Sequence, residues 1–148
     1  KTKNDHRKVT FHDSCNVARG SNMGNIENGQ FILPREVIKA ACNHFADMSK
    51  ATIKASTFCC GGGGGLLTDD LIELRIKGAM PRMQALKQSQ ENDGVNTLAA
   101  ICAICKSQFS KVLPNYDFDP YMIVSVHQLV SDALVLSDKS KTKVEDSL

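Results

Sequence analysis

The sequence has no apolar run long enough to cross a membrane, and its polar first residues lack the apolar core of a signal peptide. A bilayer span needs about 20 mostly apolar residues, so we expect no direct membrane insertion, and the missing export signal favours the cytoplasm. Charge is also nearly balanced, with 18 basic and 16 acidic residues. Because the basic residues are scattered rather than clustered, we expect no nucleic-acid partner.

A length of 148 residues fits one domain. We expect a globular domain over residues 1–136 and a polar, disordered tail over residues 137–148. The chain does not begin with Met, and we expect it to be part of a longer protein.

Short apolar runs alternate with helical patterns along the chain. This alternation predicts an α/β fold with a mostly parallel sheet of about four strands, flanked by helices. The predicted strands are residues 8–12, 56–58, 97–101 and 122–126. Helices are predicted to begin near Pro34, Thr68, Cys102 and His127. In the second helix, Gly78 and Pro81 predict a kink or two successive helices, because proline removes a backbone donor and clashes with the preceding turn.

Cysteine is concentrated in three places, each directly after a predicted strand. These residues are Cys15, Cys59, Cys60, Cys102 and Cys105. The carboxyl ends of parallel strands share one edge of the sheet, so the sequence predicts a cysteine cluster at that edge. Thiolate-rich sites of this kind hold iron–sulfur clusters. Zinc needs only four tetrahedral ligands, and Cys102 with Cys105 could also act as a metal-free dithiol couple, so both alternatives stay open.

A run of five glycines follows the paired cysteines, and Gly61, Gly62 and Gly63 are our candidate cofactor-binding residues. Glycine lets the backbone pass close to a ligand and turns its amide groups toward an anion. A phosphate loop would continue with Lys and then Ser or Thr, whereas Leu66 and Leu67 follow here, which disfavours nucleotide binding. A plain flexible turn would not require the large ordering entropy of five glycines.

Two histidines and one acidic residue lie beside the predicted cysteine edge. His12 and His127 end strands there, and either could supply a proton to a departing thiolate. We name His127 as the candidate catalytic residue and favour a structural role for His12. Asp13 is expected to bond loop amides. Cys42 lies on an apolar helical face and is expected to be a core residue.

Four segments resemble the cysteine-rich CCG module of the heterodisulfide-reductase family. They contain Phe11-His12-Asp13-Ser14-Cys15, Phe58-Cys59-Cys60-Gly61, Cys102-Ala103-Ile104-Cys105 and Val126-His127-Gln128. Within that family the likeness is greatest to the DsrK-type subunits of membrane complexes in dissimilatory sulfur metabolism. It spans roughly residues 8–135.

The resemblance implies a cofactor, a reaction and partners. The five clustered cysteines would bind a noncubane [4Fe–4S] cluster, and the protein would be an oxidoreductase acting on a disulfide or trisulfide of a DsrC-like sulfur-carrier protein. It would lie at the cytoplasmic face of the inner membrane through partner subunits of its complex. Ferredoxin-type motifs are absent from this chain, so we expect it to be inactive alone. The alternative is a docking module that holds zinc or a structural cluster without catalysis of its own.

Overall fold

A computed structural model describes residues 1–27, 29–64 and 66–135, and the predicted tail at 137–148 lies outside these described residues. They form an α/β fold around three parallel strands in the order β1-β2-β3. The strands are β1 (Val9–His12), β2 (Thr97–Ala100) and β3 (Ile123–Ser125). The predicted α/β class and the parallel sheet are confirmed, as are three of the four predicted strands to within one residue at each end.

β1 and β2 are buried on both faces, which is typical of a parallel sheet covered by helices, and β3 is partly buried. Every residue of β1 and β2 is buried. In register, Val9 lies opposite Thr97 and His12 lies opposite Ala100. Because side chains alternate along a strand, Val9 and Phe11 face one side of the sheet and His12 faces the other.

The predicted strand at 56–58 is wrong. Lys54–Ser56 forms a single 3-10 turn, and Lys54 has a positive φ of 55°, which breaks an extended chain. The free edge of β1 is instead bridged at Phe45. There the Val9 amide donates to the His44 carbonyl at 3.0 Å.

Four helices cover the sheet. They are α1 (Leu33–Ala41), α2 (Ile72–Asp93), α3 (Ala103–Val112) and α4 (Val126–Ala133). One apolar cluster packs α1 and α4 against Val9 and Phe11, and a larger one packs α2 and α3 against Leu98 and Ala100 on the opposite face. Among the described residues, no helix combines the length and apolar character that a membrane span requires.

The second helix is continuous, so the predicted division into two helices is wrong. α2 runs through Pro81 without a break. Pro81 has no N–H, so the carbonyl of Lys77, four residues earlier, lacks its helical hydrogen bond. Both residues are exposed, and water can satisfy that carbonyl. The helix ends where Gly94 takes the left-handed conformation at φ 66° and its amide bonds the Gln90 carbonyl.

A buried ion pair fixes the segment that follows β1. Arg35 of α1 donates to both carboxylate oxygens of Asp13, at 2.7 and 2.8 Å, and its Nε donates to Asp47 at 2.9 Å. The Asp13 side chain is 0 % exposed. The amide of Lys54 also donates to Asp13 at 2.7 Å, which confirms the predicted bonding of loop amides. Three segments of the chain are therefore joined at one carboxylate.

We predict that Arg35→Met lowers the free energy of unfolding by about 3–5 kcal/mol, because it leaves the buried Asp13 carboxylate without its cation. Lys39→Met, on the same helix, is the matched control. It breaks the exposed 3.0 Å pair with Glu36 and should cost under about 1 kcal/mol. Urea unfolding followed by circular dichroism measures both, and equal losses would contradict the role assigned to the buried pair.

Candidate metal centre

Two of the three cysteine groups leave the sheet at the same edge. Cys15 starts a short π-helical turn just after β1, and the Ser14 hydroxyl accepts from the Val17 amide there at 3.2 Å. Cys102 caps the amino end of α3, directly after β2, and Cys105 lies in the first turn of that helix. Because β1 and β2 are parallel neighbours, these thiols start from adjacent strand ends.

The five candidate thiols are linked through their effects on one another's pKa. Besides burial, Cys59 raises the pKa of Cys15, and Cys60 raises the pKa of Cys59. The sulfurs of Cys60 and Cys105 lie within 4.8 Å of each other, and Cys105 in turn acts to lower the pKa of Cys102. Residues from three distant segments therefore meet at one place, although Cys59 and Cys60 follow no strand.

Hydrogen bonds among the thiols shift their acidity in opposite directions. The bond with Cys105, followed by burial, raises the pKa of Cys60 to about 12, although the contact with Cys59 acts the other way. The pKa of Cys59 is raised by its bond with Cys60. Burial acts to raise the pKa of Cys102, but bonds from the Cys105 amide and the Ser14 hydroxyl lower it overall. Of these three thiols, Cys102 is therefore the one whose pKa is lowered, which favours its thiolate form.

His12 lies among the thiols. Its ring nitrogen and the sulfurs of Cys60 and Cys105 all fall within 4.8 Å of one another. The residue is 1 % exposed, and its ring packs edge-on against Phe109 with centroids 4.8 Å apart. Burial, with a smaller contribution from Arg82, lowers the pKa of His12 well below its ordinary value. The sequence favoured a structural role for this residue, whereas the fold places it at the candidate site.

His127 and Cys42 lie elsewhere. His127 is exposed in the first turn of α4 and lines a pocket of about 330 Å³ with Ile101, the residue before Cys102. The structure records no contact between His127 and a thiol among the described residues, and its catalytic role stays a prediction. Cys42 is 2 % exposed in the cluster beneath α1 and α4, as expected of a core residue.

A buried cation that the sequence analysis missed stands behind the thiols. Arg82 of α2 is fully buried, and its guanidinium donates to the Thr57 hydroxyl at 2.9 Å and to the Thr52 carbonyl. The same Thr57 hydroxyl donates to the Asp13 carbonyl at 2.9 Å. Thr57 precedes the paired cysteines and Asp13 precedes Cys15, so Arg82 fixes both cysteine segments to α2.

The charge on Arg82 has no carboxylate partner. Among the described residues, no acidic oxygen lies within salt-bridge distance of its guanidinium. Burial lowers the pKa of Arg82 to about 10, while Asp13, Cys105 and Cys60 act to raise it. An unpaired buried charge costs several kcal/mol. Negative charge at the thiols would therefore stabilise the fold.

Arginine side chains are usually exposed to solvent, so the sequence analysis did not consider Arg82 and Arg75 as parts of the site. Both are nonetheless buried, and Arg75 Nε donates to Gln108 at 2.8 Å. The available signal was their spacing, since Arg75, Ala79, Arg82 and Leu86 recur every three or four residues along one face of α2.

The glycine run passes close to α2. Gly61 has φ 89°, and a Cβ there would collide with the Arg75 carbonyl. The Gly61 amide donates to the Cys59 sulfur at 3.3 Å, and a Cβ at Gly62 would lie 3.4 Å from the Cys60 sulfur. Soft thiolate donors, an amide directed at sulfur, a buried cation and an imidazole without partners together fit an anionic thiolate-bound metal group.

A larger cavity of about 740 Å³ lies between residues 47–56 and the end of α2. No cysteine or histidine lines it. We therefore place the candidate site at the thiols, where metal-binding donors converge, and not in the larger cavity.

We predict that Gly61→Ala reduces both stability and metal uptake far more than Gly64→Ala. Both residues have positive φ, so each alanine incurs a backbone cost of roughly 1–2 kcal/mol. Only Gly61 also meets α2, since nothing lies within 4 Å of a Cβ at Gly64. Thermal unfolding and metal analysis measure the difference, and equal effects of the two substitutions would rule out the close approach as the cause.

Comparison with known proteins identifies the family of the chain. The family model of the CCG cysteine-rich domain matches residues 9–110. The chain is 44 % identical over 137 residues to Hdr-like menaquinol oxidoreductase iron-sulfur subunit 2 of Archaeoglobus fulgidus, covering 93 % of this chain and 23 % of that protein. It is 43 % identical over 136 residues to the Hdr-like menaquinol oxidoreductase iron-sulfur subunit of Archaeoglobus profundus, covering 92 % and 23 %.

The chain thus spans about a quarter of the length of the curated relatives it matches. No solved structure is significantly similar to it. The family match covers more than half of the chain and includes all five clustered cysteines. The chain belongs to the CCG cysteine-rich domain family, of the heterodisulfide-reductase type that its cysteine motifs resemble.

Proposed function

We propose that this chain is an iron–sulfur redox module in which five cysteines hold a noncubane [4Fe–4S] cluster. The proposed ligands are Cys15, Cys59, Cys60, Cys102 and Cys105. The observation that carries the proposal is the grouping of the Cys60 and Cys105 sulfurs within 4.8 Å of each other, close to the buried cation of Arg82. Five thiols exceed the four ligands of a zinc site. Thiolate-bound clusters are typical of such sites, and their negative charge would offset the buried guanidinium.

When bound, the cluster would supply single-electron transfer and reaction with a sulfur–sulfur bond. The residues of the chain hold and tune the site. Arg82 and the Gly61 amide stabilise negative charge on sulfur, and Thr57 keeps the two cysteine segments at a fixed separation. Burial of Cys60 and Cys105 beneath α2 and α3 keeps water from the inner side of the site.

The proposed reaction is reduction or formation of a disulfide or trisulfide on a DsrC-like sulfur-carrier protein. Reducing a disulfide consumes two electrons and two protons and yields two thiols. The relatives are subunits of menaquinol oxidoreductases by name. We therefore propose that electrons pass between quinol chemistry in partner subunits of a membrane complex and this module, and that the chain alone is inactive. This places the module at the cytoplasmic face of the inner membrane, in the manner of DsrK-type subunits.

His127 is proposed to carry protons between solvent and the reacting sulfur. Its ring is exposed and lines the pocket beside Ile101, next to Cys102. Gln30 and apolar residues of α1 and α4, among them Leu33 and Val130, form the rest of that pocket. The carrier protein would dock at this edge, with the segment at 20–29 closing over it.

A docking module with zinc is the second candidate. The grouping of His12, Cys60 and Cys105 favours it, because three such donors could hold a single metal ion. Zinc is colourless and diamagnetic, whereas an iron–sulfur cluster absorbs broadly in the visible range. Optical and paramagnetic resonance spectra of the anaerobically reconstituted chain separate the two candidates.

We predict that Cys60→Ala abolishes iron and sulfide incorporation, whereas Cys42→Ala retains it. Cys60 touches two other thiols of the site, and Cys42 lies in the core under α1. The Cys42 substitution should cost roughly 0.5–3 kcal/mol of stability through lost packing. Anaerobic iron and sulfide analysis measures the result, and equal iron loss in both variants would mean that the ligand set is wrong.

The enzyme role is tested in the full-length protein within its complex, mixed with the oxidised carrier protein. His127→Ala should slow turnover by about 10²–10⁴-fold, the usual contribution of a general acid or base, while the cluster signal stays unchanged. Undiminished turnover would remove His127 from the mechanism. Failure of the wild-type complex to react with any protein disulfide would refute the enzyme role but not cluster binding.

A further inference from the structure

His12 is the buried polar side chain that the proposed function leaves without a task. Both ring nitrogens are inaccessible to solvent, and neither has a hydrogen-bond partner among the described residues. An ordinary core histidine has at least one partner, because an unsatisfied buried polar group costs about 1–3 kcal/mol. A histidine with two such atoms needs a ligand or a neighbouring group to satisfy it.

The ring cannot turn away to find that partner in solvent. His12 is the last residue of β1, and its backbone is held in register with Ala100 of the central strand. Phe109 of α3 packs against the ring at an interplanar angle of 89°. A ring nitrogen of His12 and the sulfurs of Cys60 and Cys105 lie within 4.8 Å of one another.

Metal binding changes what those two sulfurs can accept. The sulfurs of Cys60 and Cys105 lie within 4.8 Å of each other and of a His12 ring nitrogen. Thiols lose their protons when they bind a metal, and the resulting thiolates become strong acceptors with no proton between them. An imidazole N–H already beside them is the nearest uncommitted donor.

We propose that His12 donates a ring N–H to the thiolate sulfur of Cys60 or Cys105 when these cysteines hold the cluster. This inference rests on the proposed cluster and assigns His12 a tuning role in place of the structural role that its sequence pattern favoured. Hydrogen bonds to cluster sulfurs withdraw negative charge and stabilise the reduced state, which sets the reduction potential. His12 therefore makes the site easier to reduce.

The first measurement is the midpoint potential of the cluster in the full-length protein, titrated anaerobically and followed by paramagnetic resonance. His12→Phe should shift the potential to a more negative value, because it removes the donor and keeps an aromatic ring against Phe109. His12→Gln, which retains an N–H, should restore the potential toward that of the wild type. His44→Phe is the matched control and should leave the potential unchanged, since His44 is exposed and has no place in the proposed site.

The second measurement is pulsed paramagnetic resonance on protein labelled with ¹⁵N in histidine. A weak ¹⁵N coupling should appear in the wild type, persist in His44→Phe and disappear in His12→Phe. A strong coupling, typical of nitrogen bound directly to iron, would overturn the donor role. Loss of the ¹⁵N signal with no shift in potential would also overturn it, because the contact would then have no effect on the cluster.

Iron and sulfide content separates this inference from the function on which it rests. An intact wild-type cluster without any ¹⁵N coupling refutes the role of His12 alone. A wild-type protein that takes up no iron and sulfide refutes both. His12→Gln guards against misfolding, because its amide can occupy the buried position with a donor still present.

Discussion

The bond from the Arg82 guanidinium to the Thr57 hydroxyl is the contact on which the cysteine site depends. That hydroxyl accepts from Arg82 and donates onward to the Asp13 carbonyl, so one oxygen connects α2 to two cysteine segments that share no strand pairing. Cys15 follows Asp13, and Cys59 follows Thr57, each by two residues. The Arg35–Asp13 pair and the Lys54 amide hold the same junction from the other side.

The same contact creates an electrostatic requirement. Arginine is tolerated inside a protein when carboxylates or other anions neutralise it. Arg35 meets this condition with Asp13 and Asp47, whereas Arg82 has only neutral oxygens and a methionine sulfur as partners in the described residues. No carboxylate in the described residues neutralises the buried charge of Arg82. The nearby thiols can supply that negative charge when they are deprotonated.

Sequence reasoning succeeded where local pattern and tertiary structure agree. β1, β2 and β3 are short runs rich in apolar or β-branched residues, of which β1 and β2 are fully buried, and Pro34 lies in the first turn of α1 as expected. The prediction of a strand at 56–58 is wrong. The Thr57 hydroxyl bonds to Arg82 and to the Asp13 carbonyl, and the 3-10 turn just before it excludes an extended strand. Of the two alternatives at Pro81, the division into two helices is wrong, because a proline on the exposed side of a long helix can be accommodated without ending it, and the kink stays a prediction.

The candidate site shows the same division. The common edge of Cys15, Cys102 and Cys105 could be anticipated because they follow neighbouring parallel strands, whereas the strand predicted before Cys59 and Cys60 does not form. The buried arginines could not, since composition places charge at the surface. The sequence could not decide which of the two histidines lies beside the thiols. That depends on the face of the sheet to which His12 points, which the alternation along β1 and the packing against Phe109 show.

The parallel pairing of β1 with β2 also constrains when the site can form during synthesis. Lys8 and Asn96, at the start of that pairing, are 88 positions apart and are joined directly by a hydrogen bond. Contacts of such sequence separation form slowly and cannot form before both partners have left the ribosome. Cys15, Cys59 and Cys60 therefore emerge long before Cys102 and Cys105 exist to join them. Until then, the three early thiols depend on the reducing capacity of their compartment. The complete set of donors for a metal group exists only after β1 and β2 have paired.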